Sequence, residues 1–528
     1  MTLERQTSVP QEHEVVILGG GPAGCAAAAL LARRGHDVGL VRPPRPPAGR
    51  LAESIPPSAY RVLAELEIGE AVELAGFHPN GGNIVWWAGR TPHAETFTAG
   101  RLGFHTDRVR LEDVLVAAAR EAGTTVYDGS SARDAEECAD GWRVYCVASS
   151  GTPFELRAPW TLDATGRRGV IARREGRETD RSTTTTALVR VWRRRDGFGD
   201  VPPTHTLVES YADGWAWSVP LAPDVRCLTA MVDHRYTDID ESDLNATLDA
   251  ELTKAPHLGP LRSGAEPLGP TWACPASLYV ASRFGRPGLL LVGDAASFID
   301  PLSSFGVKKA LSSGWLAGVT VHTALVEPAM REIAVEFHDE REREVYRSYR
   351  GLAADFFEEA ARVYGHPYWE SRATASRAAA GRPSMPAGDP DAYVDTQVPV
   401  SAVRAAFDRI RAREKLDARR GTHVRLLERP TVVGHRIVRA CHLASSQVSL
   451  GLRYVRNVDL IRLVDVAPHH RDVPDGWIAY NAGAPAVTLP DYLTALATAF
   501  AAGLLEHEDG AASELTPLRI ANNRGVRA

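Results

Sequence analysis

The chain has 528 residues and a net charge of −6. At about 150 residues per domain, that length predicts three or four folding units. With 44% hydrophobic and 24% charged residues it reads as a globular protein with a large core, and its mild acidity excludes a global basic field for nucleic acid or an anionic membrane.

Residues 14–18, EVVIL, read as a short buried strand. Gly19-Gly20-Gly21-Pro22-Ala23-Gly24 follows, then a small-residue helix from Cys25 to about Arg34 and a second strand over residues 38–41. Strand, GxGxxG, helix and strand within 30 residues is a dinucleotide-binding pattern. Gly19 permits the tight turn, Gly21 lets backbone approach a pyrophosphate, and Gly24 lets the helix pack on the sheet. Pro22 and Ala23 complete the candidate cofactor loop, and the phosphates sit at the helix N-terminus, where free N–H groups and the dipole favour an anion. The second strand ends in Val41-Arg42-Pro43-Pro44, without the acid that usually takes the adenosine ribose. Arg42 is left to stack on adenine, contact a phosphate or face solvent.

Residues 160–166, WTLDATG, read as another strand. Residues 181–280 alternate in β fashion, as in an antiparallel sheet. Within them, Asp213-Gly214-Trp215-Ala216-Trp217-Ser218-Val219-Pro220 sets Trp215 and Trp217 on one face at period two, where they either line a pocket or pack a core. Residues 288–300, GLLLVGDAASFID, read as a strand, Gly293-Asp294 and a turn. Pro301-Leu302-Ser303-Ser304-Phe305-Gly306-Val307 then leads into a long helix. An aromatic helical segment spans 351–373, and Ala, Pro, Gly and Asp over 374–400 read as a linker. A charged amphipathic helix (401–418), mixed helix and strand (424–466) and a helix from Pro490 through Leu505 follow. The tail, 508–528, is expected to be disordered. This last module weakly resembles a winged-helix docking domain. It is either a lid or dimerisation element, or a recognition element for a substrate carried on a peptide or carrier protein.

The six cysteines, at 25, 138, 146, 227, 274 and 441, are scattered singly, which argues against a disulfide framework or a metal site. No signal-peptide pattern opens the chain and no apolar run is long enough for a membrane span, so the expected location is cytoplasmic. Only four of the 60 basic residues are lysine: Lys254, Lys308, Lys309 and Lys415. Coding bias explains the number, yet any chemistry needing an ammonium has four candidates.

The GxGxxG loop, DATG and GDAA…DP…G together resemble the FAD-binding domain of the single-dinucleotide flavoprotein monooxygenases, which include the flavin-dependent halogenases. The resemblance spans about residues 12–365 and implies FAD as cofactor. Asp294, after Gly293, would bind a ribityl hydroxyl. Gly306 and Val307, after Pro301, would present amides to the flavin's pyrimidine edge, where a helix N-terminus stabilises an anionic reduced flavin. Asp107-Arg108 ahead of Leu111-Glu112 resembles the family's Arg-x-x-[FL]-[DE] helix start and implies Arg108 beside the flavin or its phosphates. Glu53-Ser54 resembles the Gly-Glu-Ser segment over the isoalloxazine, with Ala52 replacing the glycine. The implied fold is α/β. A Rossmann-like FAD-binding domain covers 12–180 with 271–350, and an antiparallel substrate domain covers 181–270. Helical closure and linker (351–400), a mostly helical C-terminal α/β module (401–507) and the tail complete it.

The GWAWSVP segment matches the halogenases' GWxWxIP, with Val219 for Ile. Halogenases also hold a lysine near the substrate for hypohalous acid, and by resemblance of Ala75-Gly76-Phe77 that position falls on Asn80. No lysine precedes Lys254. Lys308 and Lys309 suit the outside of a helix or the flavin edge, and a neutral amide cannot replace an ammonium. The resulting expectation is an FAD-dependent monooxygenase of secondary metabolism. It hydroxylates an electron-rich aromatic or heteroaromatic substrate through a flavin hydroperoxide, with the substrate free or bound to a peptide or carrier. O₂ is the co-substrate, and electrons come from NAD(P)H or a partner flavin reductase, since no second GxGxxG occurs. Candidate catalytic residues are Asn80, Trp215, Trp217, Ser303 and Ser304, with His78, Trp86, Trp87 and His105 around them. The alternatives are a halogenase using Lys308 or Lys309 and a flavin-dependent double-bond reductase.

Overall fold

A computed structural model describes residues 10–44, 51–89, 91–97, 102–380, 398–483 and 485–507, apart from the side chains of Ser303 and Val400. Contacts group the chain into two units, Met1–Gly381 and Arg382–Ala528.

In the first unit, Val15–Leu18, Val38–Arg42, Thr125–Asp128, Trp160–Asp163 and Leu289–Leu291 form a parallel sheet, with Gly285–Arg286 added antiparallel at one edge. The strands VVIL and LLL are buried at every position, as expected for a parallel sheet covered on both faces. The helix Pro22–Arg33 packs against the long helix Gly306–Val326. Small residues allow the approach: a Cβ on Gly314 would meet the Ala23 carbonyl oxygen at 2.2 Å.

The second sheet has eight strands and is larger than the local alternation suggests. Thr186–Arg193, Val225–Val232, Gly214–Ala222 and His205–Tyr211 form its antiparallel centre. Gly82–Trp86 then adds in parallel beside His205–Tyr211, and His93–Thr96 follows it. The expected boundary of 181–270 misses these two strands, because pairing across more than a hundred residues leaves no mark on local periodicity. The run is also broken by the helix Leu244–Thr253, whose Leu248 and Leu252 cover one face. The other face, with Trp215, Val219 and Met231, packs on Phe357, Tyr368 and Trp369. Those aromatics come from the 34-residue helix Arg331–Tyr364 and from Pro367–Ala380, which carries helix through residues read as the start of a linker. The rest of that linker, 381–397, lies outside the described residues.

Among its described residues, the second unit mixes helices with three two-stranded sheets. Val400–Ala412 packs on Leu489–Ala501, burying Ala406 and Ile410. Arg425–Val433 and Arg436–Ala444 form a long hairpin. The last helix stops at Ala501, before Leu505. Gly503 takes φ +65°, and Leu505–His507 becomes a strand beside Ala418–Arg420. The tail 508–528 lies outside the described residues. No helix among the described residues is long and apolar enough to cross a membrane.

Candidate active site

The glycine loop has the geometry that its spacing predicts. Gly19 sits at φ +108°, and a Cβ on Gly24 would meet the Gly19 carbonyl oxygen at 1.9 Å, so helix and loop touch through bare backbone. A Cβ on Gly21 would meet only Glu112 Oε1, at 3.8 Å, and one on Gly306 would meet nothing within 4 Å. The helices starting at Pro22 and Gly306 have no side-chain cap at their N-termini. Both therefore offer first-turn N–H groups beside open space, which fits a pyrophosphate at one and a carbonyl-bearing ring edge at the other.

These two loops border one cleft of about 1170 Å³, counted to its open mouth. Its lining includes Gly21, Pro22, Ala23, Glu53, Ser54 and Arg108 from the first 110 residues, and Asp294, Pro301, Ser304, Gly306 and Val307 from the later motif. Segments far apart in sequence thus converge on one cleft. Gly19, Gly24 and Gly293 lie behind the lining as packing elements. Gly293 takes φ +62°, with its Cβ direction against Ala23, and its N–H donates to Ser313 Oγ at 2.8 Å.

Arg108 follows Asp107, whose carboxylate caps the helix Arg108–Glu121. Its guanidinium reaches Glu53 Oε1 at 3.3 Å and Glu112 Oε1 at 3.1 Å. Burial opposes its charge, but Glu53 and Glu112 outweigh burial and raise its pKa. Burial lifts Glu53 above the usual carboxylate range, with Arg108 pulling the other way.

Other expected site residues lie elsewhere. Arg42 is buried and ion-paired with Asp113 at 2.7 Å and Asp128 at 3.6 Å, and its stem lies under Gly20 rather than against the cleft. Asn80 is 1% exposed. Its amide nitrogen donates to Ser54 Oγ (3.1 Å) and the Ile55 carbonyl (3.2 Å), and its oxygen accepts from Gly82 N–H (3.1 Å). With every polar atom engaged, Asn80 braces the loop behind Ser54 and is absent from the lining. The two tryptophans of GWAWSVP separate: Trp217 lines the cleft, while Trp215 is 1% exposed and packs edge-on against Trp87 and Trp217. Trp86 stacks on His257, and His105 is buried against Pro79 and Thr206. The Ser303 side chain is outside the described set, whereas Ser304 lines the cleft at φ +55°.

Neither helix lysine sits on an outer surface. Lys308 and Lys309 are 3% and 1% exposed, and neither lines the cleft. Sequence reasoning passed over Arg167, immediately after DATG. It lines the cleft, donates through Nη1 to Cys274 Sγ (2.6 Å) and the Pro275 carbonyl (2.5 Å), and lies over the Phe298 ring. A cation directly after a strand-ending motif is the signal that could have flagged it.

Residues 12–349 match the FAD binding domain family. Among curated proteins, the chain is 29% identical over 372 residues to a flavin-dependent halogenase of Armillaria mellea, covering 65% of this chain and 73% of that one. It is 27% identical over 374 residues to a tryptophan 2-halogenase of Chondromyces crocatus, covering 67% and 69%. Among solved structures, the flavin-dependent halogenase CmlS superposes with a TM-score of 0.72 at 21% identity, over 98% of this chain and 99% of that one. The peptidyl tryptophan dihydroxylase QhpG superposes with a TM-score of 0.61 at 23% identity, over 90% and 96%. At such identities, these two likenesses speak to the fold alone. With the glycine loop, the Asp294 loop and the Gly306 helix start converging on one cleft, the chain belongs to the FAD binding domain family, in its flavin-dependent halogenase-like branch, and is an FAD-dependent oxidoreductase.

Proposed function

We propose that the protein is a monooxygenase that hydroxylates an electron-rich aromatic or heteroaromatic substrate. One observation carries this reading: among the described residues, no lysine lines the cleft. The first lysine of the chain is Lys254, paired with Asp213 at 2.6 Å and Glu251 at 2.8 Å. Without an ammonium beside the substrate, nothing of that chemistry is available to hold hypohalous acid.

FAD, when bound, supplies oxygen activation. The chain's own residues hold, orient and dry the site. Backbone N–H groups after Gly21 receive the pyrophosphate, and Asp294 accepts from a ribityl hydroxyl. The Gly306 helix start orients the ring edge and favours negative charge there. Trp217, Val219 and Met231 give the cleft an apolar wall that suits a planar ring and excludes water. The finer reading is a peptide- or carrier-bound substrate, the former being the kind that the name of the similarly folded peptidyl tryptophan dihydroxylase gives for that protein. Electrons come from docked NAD(P)H or from a partner flavin reductase.

Halogenation is the second reading. It is favoured by the halogenase relatives and by Trp217 in the cleft wall. The test is anaerobic reduction of the FAD-loaded protein, then exposure to ¹⁸O₂ and bromide with candidate aromatics, and mass analysis. Uptake of one labelled oxygen is expected. Bromide-dependent gain of bromine without label overturns the proposal.

A further inference from the structure

We propose that Arg167 anchors an anionic group, a carboxylate, on the aromatic substrate. This rests on reading the cleft as an aromatic-substrate site.

Arg167 is the middle residue of the short turn Gly166–Arg168 that follows the nucleotide-sheet strand Trp160–Asp163, and its guanidinium reaches across to the substrate sheet. Nη1 donates to Cys274 Sγ and the Pro275 carbonyl, and those residues pair with Ala187 and Thr186 of that sheet. The Phe298 ring lies 5.8 Å from Cζ, and the Arg167 carbonyl accepts from Arg177 Nη2 at 3.0 Å. Side chain and backbone are therefore both pinned.

A guanidinium has five N–H groups. Nη1 uses its two. The three on Nε and Nη2 meet no protein acceptor, and no carboxylate lies within 4 Å among the described residues. The other cations of this region differ. Arg108 is held by Glu53 and Glu112, Arg42 by Asp113 and Asp128, and Lys309 by backbone carbonyls. Glu53 feels the charge of Arg167 but is bonded to Arg108. The lining beyond Arg167 is mostly apolar, with Ala187, Trp217, Val219, Met231 and Ala276, and Thr229 as its polar member. A fixed cation with three free donors beside an apolar, aromatic wall is complementary to a ring bearing a carboxylate, which a guanidinium fork grips through two parallel bonds. Its protein contacts tie it to the substrate sheet rather than to the glycine loop, so the anion it serves belongs to the substrate.

The test uses FAD-loaded protein titrated with indole-3-acetate or benzoate and with their neutral amides, followed by perturbation of the visible flavin spectrum. A charge-assisted bond of about 1.5–3 kcal/mol predicts that the carboxylates bind roughly 10- to 100-fold more tightly than the amides. Arg167→Gln is expected to abolish that preference, with FAD content and amide affinity retained, and Arg167→Lys to keep part of it. Absence of a preference in the wild-type protein, including failure of both ligands to bind, overturns the proposal. So does equal loss of both ligands in Arg167→Gln, or loss of FAD, which would assign Arg167 to the cofactor. Ligand preference is read without turnover, so it and the labelled-oxygen experiment can fail separately.

Discussion

Lys309 Nζ lies 3.6 Å from the Asp294 carboxylate and donates to the carbonyls of Gly293, at 3.2 Å, and Ser297. The ammonium is buried and ties off the loop that carries Asp294, so its work is structural. Lys309→Met takes a donor from two buried carbonyls, of which Gly293 keeps its bond from the Ala296 N–H. It is expected to cost about 3 kcal/mol and to lower FAD content, as read by denaturant unfolding and visible absorbance. Full FAD content at unchanged stability would count against this role.

The glycine loop separates folding from cofactor binding at two positions. A Cβ on Gly24 would meet the Gly19 carbonyl oxygen at 1.9 Å, so Gly24→Ala is expected to disrupt the fold itself, seen as a loss of cooperative melting. A Cβ on Gly21 would point into the cleft, so Gly21→Ala is expected to melt as the wild type does while binding FAD at least about tenfold more weakly, a loss near 1.4 kcal/mol. Equal behaviour of the two variants would contradict the assignment.

Asn80 tests whether its position faces substrate. Asn80→Ala removes a fully bonded buried amide and is expected to cost about 2 kcal/mol. Asn80→Lys buries an ammonium there and is expected to be worse, without conferring halogenation. A stable Asn80→Lys protein that brominates aromatics would show that the position does open to the cleft.

The two tryptophans should part company in solution as they do in space. Trp215→Ala empties a buried core site and is expected to cost about 4 kcal/mol. Trp217→Ala is expected to spare more of the stability while weakening aromatic ligands in the flavin-perturbation titration. Equivalent melts would show that Trp217 is as much core as Trp215.

Stability should fall with mild acid. Burial, reinforced by His78, holds His105 down to about 3, and burial holds His338 down to about 4. The unfolded chain takes a proton on each near pH 6.5 that the folded chain refuses. Their contribution is therefore complete above about pH 6.5 and is lost as the pH falls toward about 4 for His338 and about 3 for His105, the slope approaching about 1.4 kcal/mol per pH unit for each histidine. Urea unfolding at about pH 7 and about pH 5 measures the slope, and His338→Leu should reduce it by one proton's share. An unchanged slope would mean that His338 does not stay neutral when folded.

The sequence by itself determined the nucleotide half of the protein. GxGxxG, DATG and GDAA…DP…G are contiguous backbone motifs, and glycine spacing dictates local conformation wherever the segment sits. Hence the loop at Gly19–Gly24, the strand ending at Asp163 and the helix start at Gly306 were legible, and so was the cofactor. Only the tertiary structure decided where side chains point and which distant strands pair. Arg42, Asn80 and Trp215 carry the right chemistry at suggestive positions, yet ion pairs with Asp113 and Asp128, bonds to Ser54 and Gly82, and core packing on Trp87 turn them away from the cleft. Lys308 and Lys309 look like surface residues of a helix until the neighbouring elements bury them. Among the described residues Arg167 has no carboxylate partner, because the fold carries its guanidinium to the Cys274 strand, more than a hundred residues away. Burial and partner choice depend on contacts between segments remote in sequence, and no local pattern encodes them.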